Sequence, residues 1–185
     1  VQSTPTFFQP EAGFVTNQLS GAGRSHMGHF PILASSQIRD KTLDSYAPGL
    51  NGSPEYIEGE AGYAHYVLSD GTKVRVTATE RVAYLETTFL GTAGVIYVGS
   101  GYNSSKVDDS WIRVLDSRRV SAYAKGGDFC GSPSPYPIYI ALEFDVPSSD
   151  HTFWKDDKRV PQRRAKGKNA SLSLAFQEEV VVVLS

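Results

Sequence analysis

The chain has 185 residues, enough for one domain with a self-supporting apolar core. Its 17 glycines, 10 prolines, 10 tyrosines and 9 phenylalanines favour strands and turns over long amphipathic helices. The net charge of -2 excludes a surface that is basic throughout, as nucleic acid or an anionic membrane would require. No apolar run approaches the roughly 20 residues that insert across a bilayer.

The first part of the chain lacks any sustained period. Residues 1–33 combine prolines and glycines with four phenylalanines, which a fully solvated tail would not carry. We therefore predict an extended N-terminal arm over residues 1–33, through which the protein could form a homo-oligomer. Residues 34–185 are predicted to form the domain itself, beginning with a short helix over residues 38–46 that Pro48 and Gly49 end.

Strand signals begin with a hairpin. The apolar runs at 63–68 and 73–76 are separated by a turn that contains Asp70 and Gly71, and an Asp-Gly pair between such runs is a strong hairpin signal. Residues 82–89 then alternate, with Ala83, Leu85, Thr87 and Phe89 on one face.

The later runs complete a sandwich pattern. Residues 95–98 are apolar on both faces, which predicts a strand in the middle of its sheet. Further strands are predicted at residues 111–115, 120–123, 138–146, 151–154, 172–176 and 180–184. About nine or ten strands without βαβ alternation predict an all-β, antiparallel β-sandwich of the jelly-roll type.

Three short segments resemble a known module. They are residues 89–94 (Phe-Leu-Gly-Thr-Ala-Gly), residues 112–116 (Ile-Arg-Val-Leu-Asp) and residues 150–152 (Asp-His-Thr). In this order they resemble the jelly-roll carbohydrate-binding module that accompanies SGNH-type esterases and occurs in phage and viral glycan-binding proteins. The resemblance implies a jelly roll that binds sugars, without the catalytic Gly-Asp-Ser block of the esterases.

The sequence predicts no catalytic residues. Cys130 lies in a flexible loop that His65 or His151 could approach, but no nucleophile elbow or helix N-terminus accompanies it. Glu86 and Glu143 are predicted on strands, and the sequence cannot place them across a cleft at the spacing that glycosidases need. We therefore predict a protein that is not an enzyme and that uses no metal and no cofactor.

Aromatic side chains supply the predicted ligand-binding surface. Sugars present apolar C–H faces that pack on aromatic rings, while Asn and Asp side chains bind their hydroxyl groups. The alternative is that individual rings only cover the core. The predicted ligand-binding residues are Tyr102, Asn103, Asp108, Trp111, Asp128, Phe129, Tyr136, Tyr139 and Trp154.

Residues 155–168 form a basic segment with seven cations and two acids. This segment could bind a sulfated glycan, a phosphate backbone or an acidic partner, and the alternative is a solvated loop between two strands.

These observations predict a non-catalytic domain that recognises a glycan or a cell-surface receptor. We predict a viral or phage surface protein of the attachment, spike or tail kind, located outside the cell or on the virion, with no nucleic-acid partner and no membrane insertion. One alternative is an accessory carbohydrate-binding module of a secreted polysaccharide-active enzyme. The other is a purely structural capsid or fibre domain.

Overall fold

The computed structural model describes residues 14–15, 29–37, 56–101, 106–127, 134–156, 158–161 and 163–185. These residues form strands and turns, and no helix that could span a membrane occurs among them. The first eight strands are β1 (Phe14–Val15), β2 (Pro31–Ser35), β3 (Tyr56–Glu60), β4 (Tyr63–Val67), β5 (Lys73–Ala78), β6 (Ala83–Thr88), β7 (Gly94–Ser100) and β8 (Lys106–Asp116). The others are β9 (Arg119–Gly127), β10 (Tyr136–Phe144), β11 (Asp150–Lys155), β12 (Lys158–Val160), β13 (Arg164–Lys166), β14 (Ala170–Phe176) and β15 (Val180–Leu184).

The strands form two sheets. The six-stranded sheet has the order β1-β2-β7-β14-β11-β12, and the nine-stranded sheet has the order β13-β8-β9-β10-β15-β6-β5-β4-β3. Neighbouring strands are antiparallel, as in the pairs of β10 with β9 and of β14 with β7. The prediction of an all-β, antiparallel sandwich is confirmed.

The predicted hairpin is present as β4 and β5, with Tyr66 opposite Val74. Gly71 has φ of 81°, a left-handed conformation that favours glycine. The turn is closed by a hydrogen bond of 2.8 Å from the Leu68 amide to the Thr72 carbonyl. The Asp-Gly pair therefore forms the hairpin turn that the sequence predicted.

The core lies between the two sheets and follows the predicted alternation. In β10, Ile140, Leu142 and Phe144 are buried while the residues between them are exposed. Phe144 meets Phe176 of the opposite sheet with ring centroids 5.2 Å apart. The strand β7 is buried along its whole length, which agrees with its predicted central position.

The strands β1, β2 and β3 were not predicted, and two further regions differ from the predicted strands. The strand β8 starts before the predicted residue 111, and register shifts occur between Val107 and Asp109 and between Val114 and Asp116. Such bulges interrupt the period of two and conceal a strand in the sequence. The basic segment holds β12 at the edge of one sheet and β13 at the edge of the other.

Some predictions on the N-terminal part are not tested. The helix predicted at residues 38–46 lies outside the described residues. The strands β1 and β2 pair with each other in the six-stranded sheet, with Phe14 opposite Ile32. The division into an arm and a domain at residue 33 stays a prediction.

A buried polar network joins the sheets at one end of the sandwich. Asp70 of the β4–β5 turn accepts hydrogen bonds from the Ser35 hydroxyl at 2.6 Å and from the Ser36 amide at 3.0 Å. Its other oxygen accepts one from the Thr72 amide at 2.9 Å. Ser35 ends β2 of the opposite sheet, so this carboxylate ties the two layers together.

We expect Asp70→Ala to lower the free energy of unfolding by about 3 kcal/mol, because it leaves buried donors without their charged acceptor. Urea unfolding at neutral pH measures this change. Asp116→Ala is the control, since the contacts of that exposed carboxylate among the described residues lie within its own hairpin, and we expect a much smaller loss. Equal losses for the two variants would contradict the role assigned to Asp70.

Candidate functional site

Three aromatic side chains form a row across the outer face of the nine-stranded sheet. Trp111 of β8 lies opposite Tyr123 of β9, and Tyr123 lies opposite Tyr139 of β10. The ring centroids of Trp111 and Tyr123 are 5.8 Å apart, and those of Tyr123 and Tyr139 are 4.9 Å apart. We call these three residues the aromatic ladder. Tyr139 is 68% exposed, and the other two rings are half-buried.

The backbone beneath the aromatic ladder is fixed by the opposite sheet. The buried Ser100 hydroxyl at the end of β7 lies 3.1 Å from the Trp111 carbonyl and 2.8 Å from the Tyr123 carbonyl. Because a hydroxyl has one hydrogen, it donates to one of these two carbonyls at a time, and it links β7 to the backbone of the ladder. The ladder is therefore a rigid surface.

Charged side chains surround the aromatic ladder. The Arg113 guanidinium lies over the Trp111 ring, 4.8 Å from its centroid. On the edge strand β13, Arg164 is opposite Arg113 and Lys166 is opposite Trp111. On the other side, Asp109 is opposite Lys125.

The surroundings also affect the Tyr123 phenol. Burial among its neighbours raises the pKa of Tyr123, and Tyr139, Asp109 and Asp108 raise it further. The phenol therefore stays protonated at neutral pH, and the centre of the ladder carries no charge of its own.

The structure brings together only part of the predicted ligand-binding surface. Trp111 and Tyr139 lie in the aromatic ladder, and Asp108 lies beside it, exposed at the first bulge of β8. Tyr136 faces the interior, and Trp154 belongs to the six-stranded sheet. The remaining predicted residues, Tyr102, Asn103, Asp128 and Phe129, lie outside the described residues.

Tyr136 packs at one end of the core. Its hydroxyl lies 3.3 Å from Nε2 of His29, which is fully buried. Gly126 permits this approach, because a Cβ atom there would lie 2.7 Å from the Tyr136 ring and 2.8 Å from His29. Since residues three apart on a strand point to opposite faces, Tyr136 and Tyr139 could not share a surface.

Trp154 is 5% exposed and donates a hydrogen bond of 3.1 Å from its indole nitrogen to the Ser173 hydroxyl. The Arg159 guanidinium lies 5.7 Å from its ring centroid. A shallow depression of about 470 Å³ lies nearby, lined by His151, Thr152, Phe153, Arg159, Val160 and Pro161. This open depression is separate from the aromatic ladder, because it belongs to the other sheet.

Among the residues of this surface, Tyr123, Arg113, Arg164 and Lys166 were not predicted to bind a ligand. Alternation along residues 120–123 places Tyr123 outward, but only the pairing register shows that it connects Trp111 to Tyr139. Lys166 was recognised only as part of the basic segment.

Metal-ligand clusters and the Glu86 and Glu143 pair can be compared with the described residues. No group of three or more His, Cys, Asp or Glu side chains that could hold a metal ion occurs among them. Glu86 and Glu143 lie on β6 and β10, with β15 between these strands. Glu86 forms an ion pair of 3.2 Å with Arg75. The two glutamates therefore lie along one flat sheet, not across a cleft.

The fold and this surface define a β-sandwich domain with a rigid aromatic outer face. The family model for the glycosyl hydrolase family 92 N-terminal domain matches residues 9–184. The chain belongs to this family of N-terminal domains.

Solved structures of the same family share the fold. The GH92 α-mannosidase BT3965 from Bacteroides thetaiotaomicron matches with a TM-score of 0.79 and 20% identity, over 94% of this chain and 26% of that chain. The GH92 glycosyl hydrolase ccman5 matches with a TM-score of 0.76 and 18% identity, over 94% of this chain and 25% of that chain. The inverting mannosidase BT2199 from Bacteroides thetaiotaomicron VPI-5482 matches with a TM-score of 0.65 and 16% identity, over 84% of this chain and 21% of that chain. This chain thus spans about a quarter of the length of these structures. No curated protein matches the sequence significantly.

These findings correct two predictions. The resemblance to the SGNH-associated or phage module is wrong, since the family match covers residues 9–184 and points elsewhere. Its short segments include the β6–β7 turn, whose Gly91 has φ of 99°, a left-handed conformation that favours glycine in turns generally. The viral or phage attachment, spike or capsid function is also wrong. The alternative of an accessory module of a polysaccharide-active enzyme agrees better with the family match.

The His29 and Tyr136 pair generates a pH prediction. Burial lowers the pKa of His29 from 6.5 to about 4. The unfolded chain therefore binds this proton first as the pH falls below about 6.5, and stability is lost down to about pH 4. The loss due to His29 amounts to about 3 kcal/mol at most.

Urea unfolding between pH 7 and pH 4 measures this loss. We expect His29→Gln to weaken the pH dependence over this range, whatever its effect at pH 7, because the glutamine carries no titrating group. An unchanged pH dependence in the variant would contradict a buried, neutral His29.

Proposed function

We propose that this chain is the non-catalytic N-terminal domain of a glycoside hydrolase that acts on mannosides. The match of the family model to residues 9–184 carries the proposal. The mannosidases BT3965 and BT2199, whose structures share the fold, suggest the substrate class. Catalysis is assigned to a part of the polypeptide outside these 185 residues.

The chemistry of the described residues supports a non-catalytic role. Hydrolysis of a glycosidic bond needs two carboxyl groups on either side of the bond. On the exposed sheet, Glu86 is paired with Arg75, and Asp116 is paired with Arg119 at 2.6 Å. The Arg119 side chain and the Arg118 amide lower the pKa of Asp116, so this group is a poor general acid at neutral pH.

The expected partner of the domain is a glycan, with the aromatic ladder as the surface that meets it. Aromatic rings that are held in place from below suit the apolar faces of sugars. The extracellular location and the homo-oligomer through the N-terminal arm stay predictions.

Hydrolysis of an aryl α-mannoside tests this function. We expect turnover by the complete polypeptide that the gene encodes and none by the 185-residue chain, because the described part of the chain brings no two carboxyl groups into catalytic positions. Glu86→Gln and Glu143→Gln in the complete polypeptide are the controls and should leave kcat/KM unchanged. Turnover by the chain alone would contradict the non-catalytic role, and a complete polypeptide active only on other glycosides would contradict the substrate class.

A further inference from the structure

We propose that the aromatic ladder and the cations beside it form a binding site for an anionic glycan. The sugar packs against Tyr139 and its neighbours. Its phosphate, sulfate or carboxylate group lies between Arg113, Arg164 and Lys166. The choice of a sugar as the ligand rests on the proposed function, whereas the choice of an anion rests on the charges described below.

The cations are placed together by strand pairing. Arg164 lies directly opposite Arg113 in the pair of β13 and β8, and Lys166 lies opposite Trp111. Like charges that face each other across an antiparallel pair destabilise it. Charged residues protect an edge strand from pairing with another chain, but this protection does not require two arginines directly opposite each other, so their repulsion points to a ligand that compensates for it.

The three cations have no acidic partner in the part of the chain that the structure describes. Arg113 contacts the face of the Trp111 ring, and no carboxylate of a described residue lies within ion-pair distance of Arg164 or Lys166. Their guanidinium and ammonium donors are therefore available to an anion.

Other cations on the same sheet contrast with this group. Arg75 pairs with Glu86 at 3.2 Å, and Arg119 pairs with Asp116 at 2.6 Å. These two arginines are therefore compensated, whereas Arg113 and Arg164 face each other without a carboxylate partner among the described residues.

The size of the surface suits a short stretch of sugar. Three adjacent strands place the aromatic ladder over about 10 Å. Tyr139 at its end is 68% exposed and offers the largest ring surface. The cations occupy the opposite end of the row, beside Trp111, so an anionic substituent and a sugar ring can be bound at the same time.

The strands that carry the cations are fastened to each other. The Gly167 amide donates a hydrogen bond of 2.8 Å to the Ser110 carbonyl, and the buried Ser110 hydroxyl donates one of 2.7 Å to the Gly167 carbonyl. These bonds fasten the end of β13 to β8. The distance between Arg164 and Arg113 is therefore set by the sheet, as a specific anion site requires.

The observations favour a glycan over a nucleic acid. A nucleic-acid site needs a basic track along several phosphates, and it usually lies on a basic domain. This chain has a net charge of -2, and Asp109 lies on the far side of the ladder. A compact group of three cations fits one anionic substituent.

Isothermal titration calorimetry of the 185-residue chain tests the proposal. The probes are mannose 6-phosphate, glucuronate, mannose and inorganic phosphate. We expect mannose 6-phosphate to bind at least about tenfold more tightly than mannose or phosphate, and its binding to weaken as salt rises. Glucuronate distinguishes a carboxylate from a phosphate as the preferred anion. In Trp154→Phe, the fluorescence of Trp111 should change during the same titration.

Matched variants separate binding from folding. We expect Arg164→Gln to weaken binding of mannose 6-phosphate about tenfold or more and to leave the ligand-free stability unchanged or higher, because it removes a repulsion. Arg75→Gln is the control on the same face. Tyr139→Ala should weaken binding of the sugar phosphate, whereas Tyr84→Ala, another exposed tyrosine of this sheet, should not.

Three outcomes would overturn the proposal: equal binding of mannose and mannose 6-phosphate, binding of phosphate as tight as that of the sugar phosphate, and tighter binding of a single-stranded oligonucleotide. If the complete polypeptide hydrolyses α-mannosides but none of the anionic sugars binds, this inference alone fails. If the complete polypeptide does not hydrolyse α-mannosides, the proposed function fails. Anion binding at Arg113 and Arg164 can still be measured separately in that case.

Discussion

The apolar layer between the two sheets is the interaction on which the rest of the structure depends. Every second side chain of the long strands points into this layer, and Phe144 of one sheet meets Phe176 of the other within it. The same alternation directs the remaining side chains outward. Burial of one face of the nine-stranded sheet therefore also decides which residues the other face presents. The aromatic ladder exists because the side chains of Trp111, Tyr123 and Tyr139 all point to the outer face of the sheet.

The sequence was most informative where the alternation was regular. The hairpin at Gly71, the inward set of β6 and the fully buried β7 could all be predicted from the pattern of residues. The start of β8 could not be predicted, because the bulge after Val107 interrupts the alternation of inward and outward side chains. The strands β12 and β13 were also missed, since short edge strands rich in charge have no apolar period.

The surface was harder to predict than the core. Trp111 and Tyr139 were both identified, but their connection through Tyr123 depends on strand register, which no local pattern specifies. The spacing of Tyr136 and Tyr139 already contained the information that they face opposite sides. The pairing of Arg164 with Arg113 joins residues 51 positions apart in the chain, and only the folded sheet shows that the basic segment borders the aromatic residues. The function was mistaken for that of a viral protein because an arm-like start, a lack of disulfides and the absence of a recognisable catalytic set occur in sandwich domains of many functions.

The central claim is that the outer face of the nine-stranded sheet, at β13 and β8 to β10, is a preformed site for a charged sugar. A crystal structure of the chain with mannose 6-phosphate tests it most directly. The account predicts the phosphate between the guanidinium groups of Arg113 and Arg164, the sugar ring against the aromatic ladder, and an unchanged backbone. A sugar phosphate bound at the depression beside His151, or at any other surface, with the ladder empty, would contradict it.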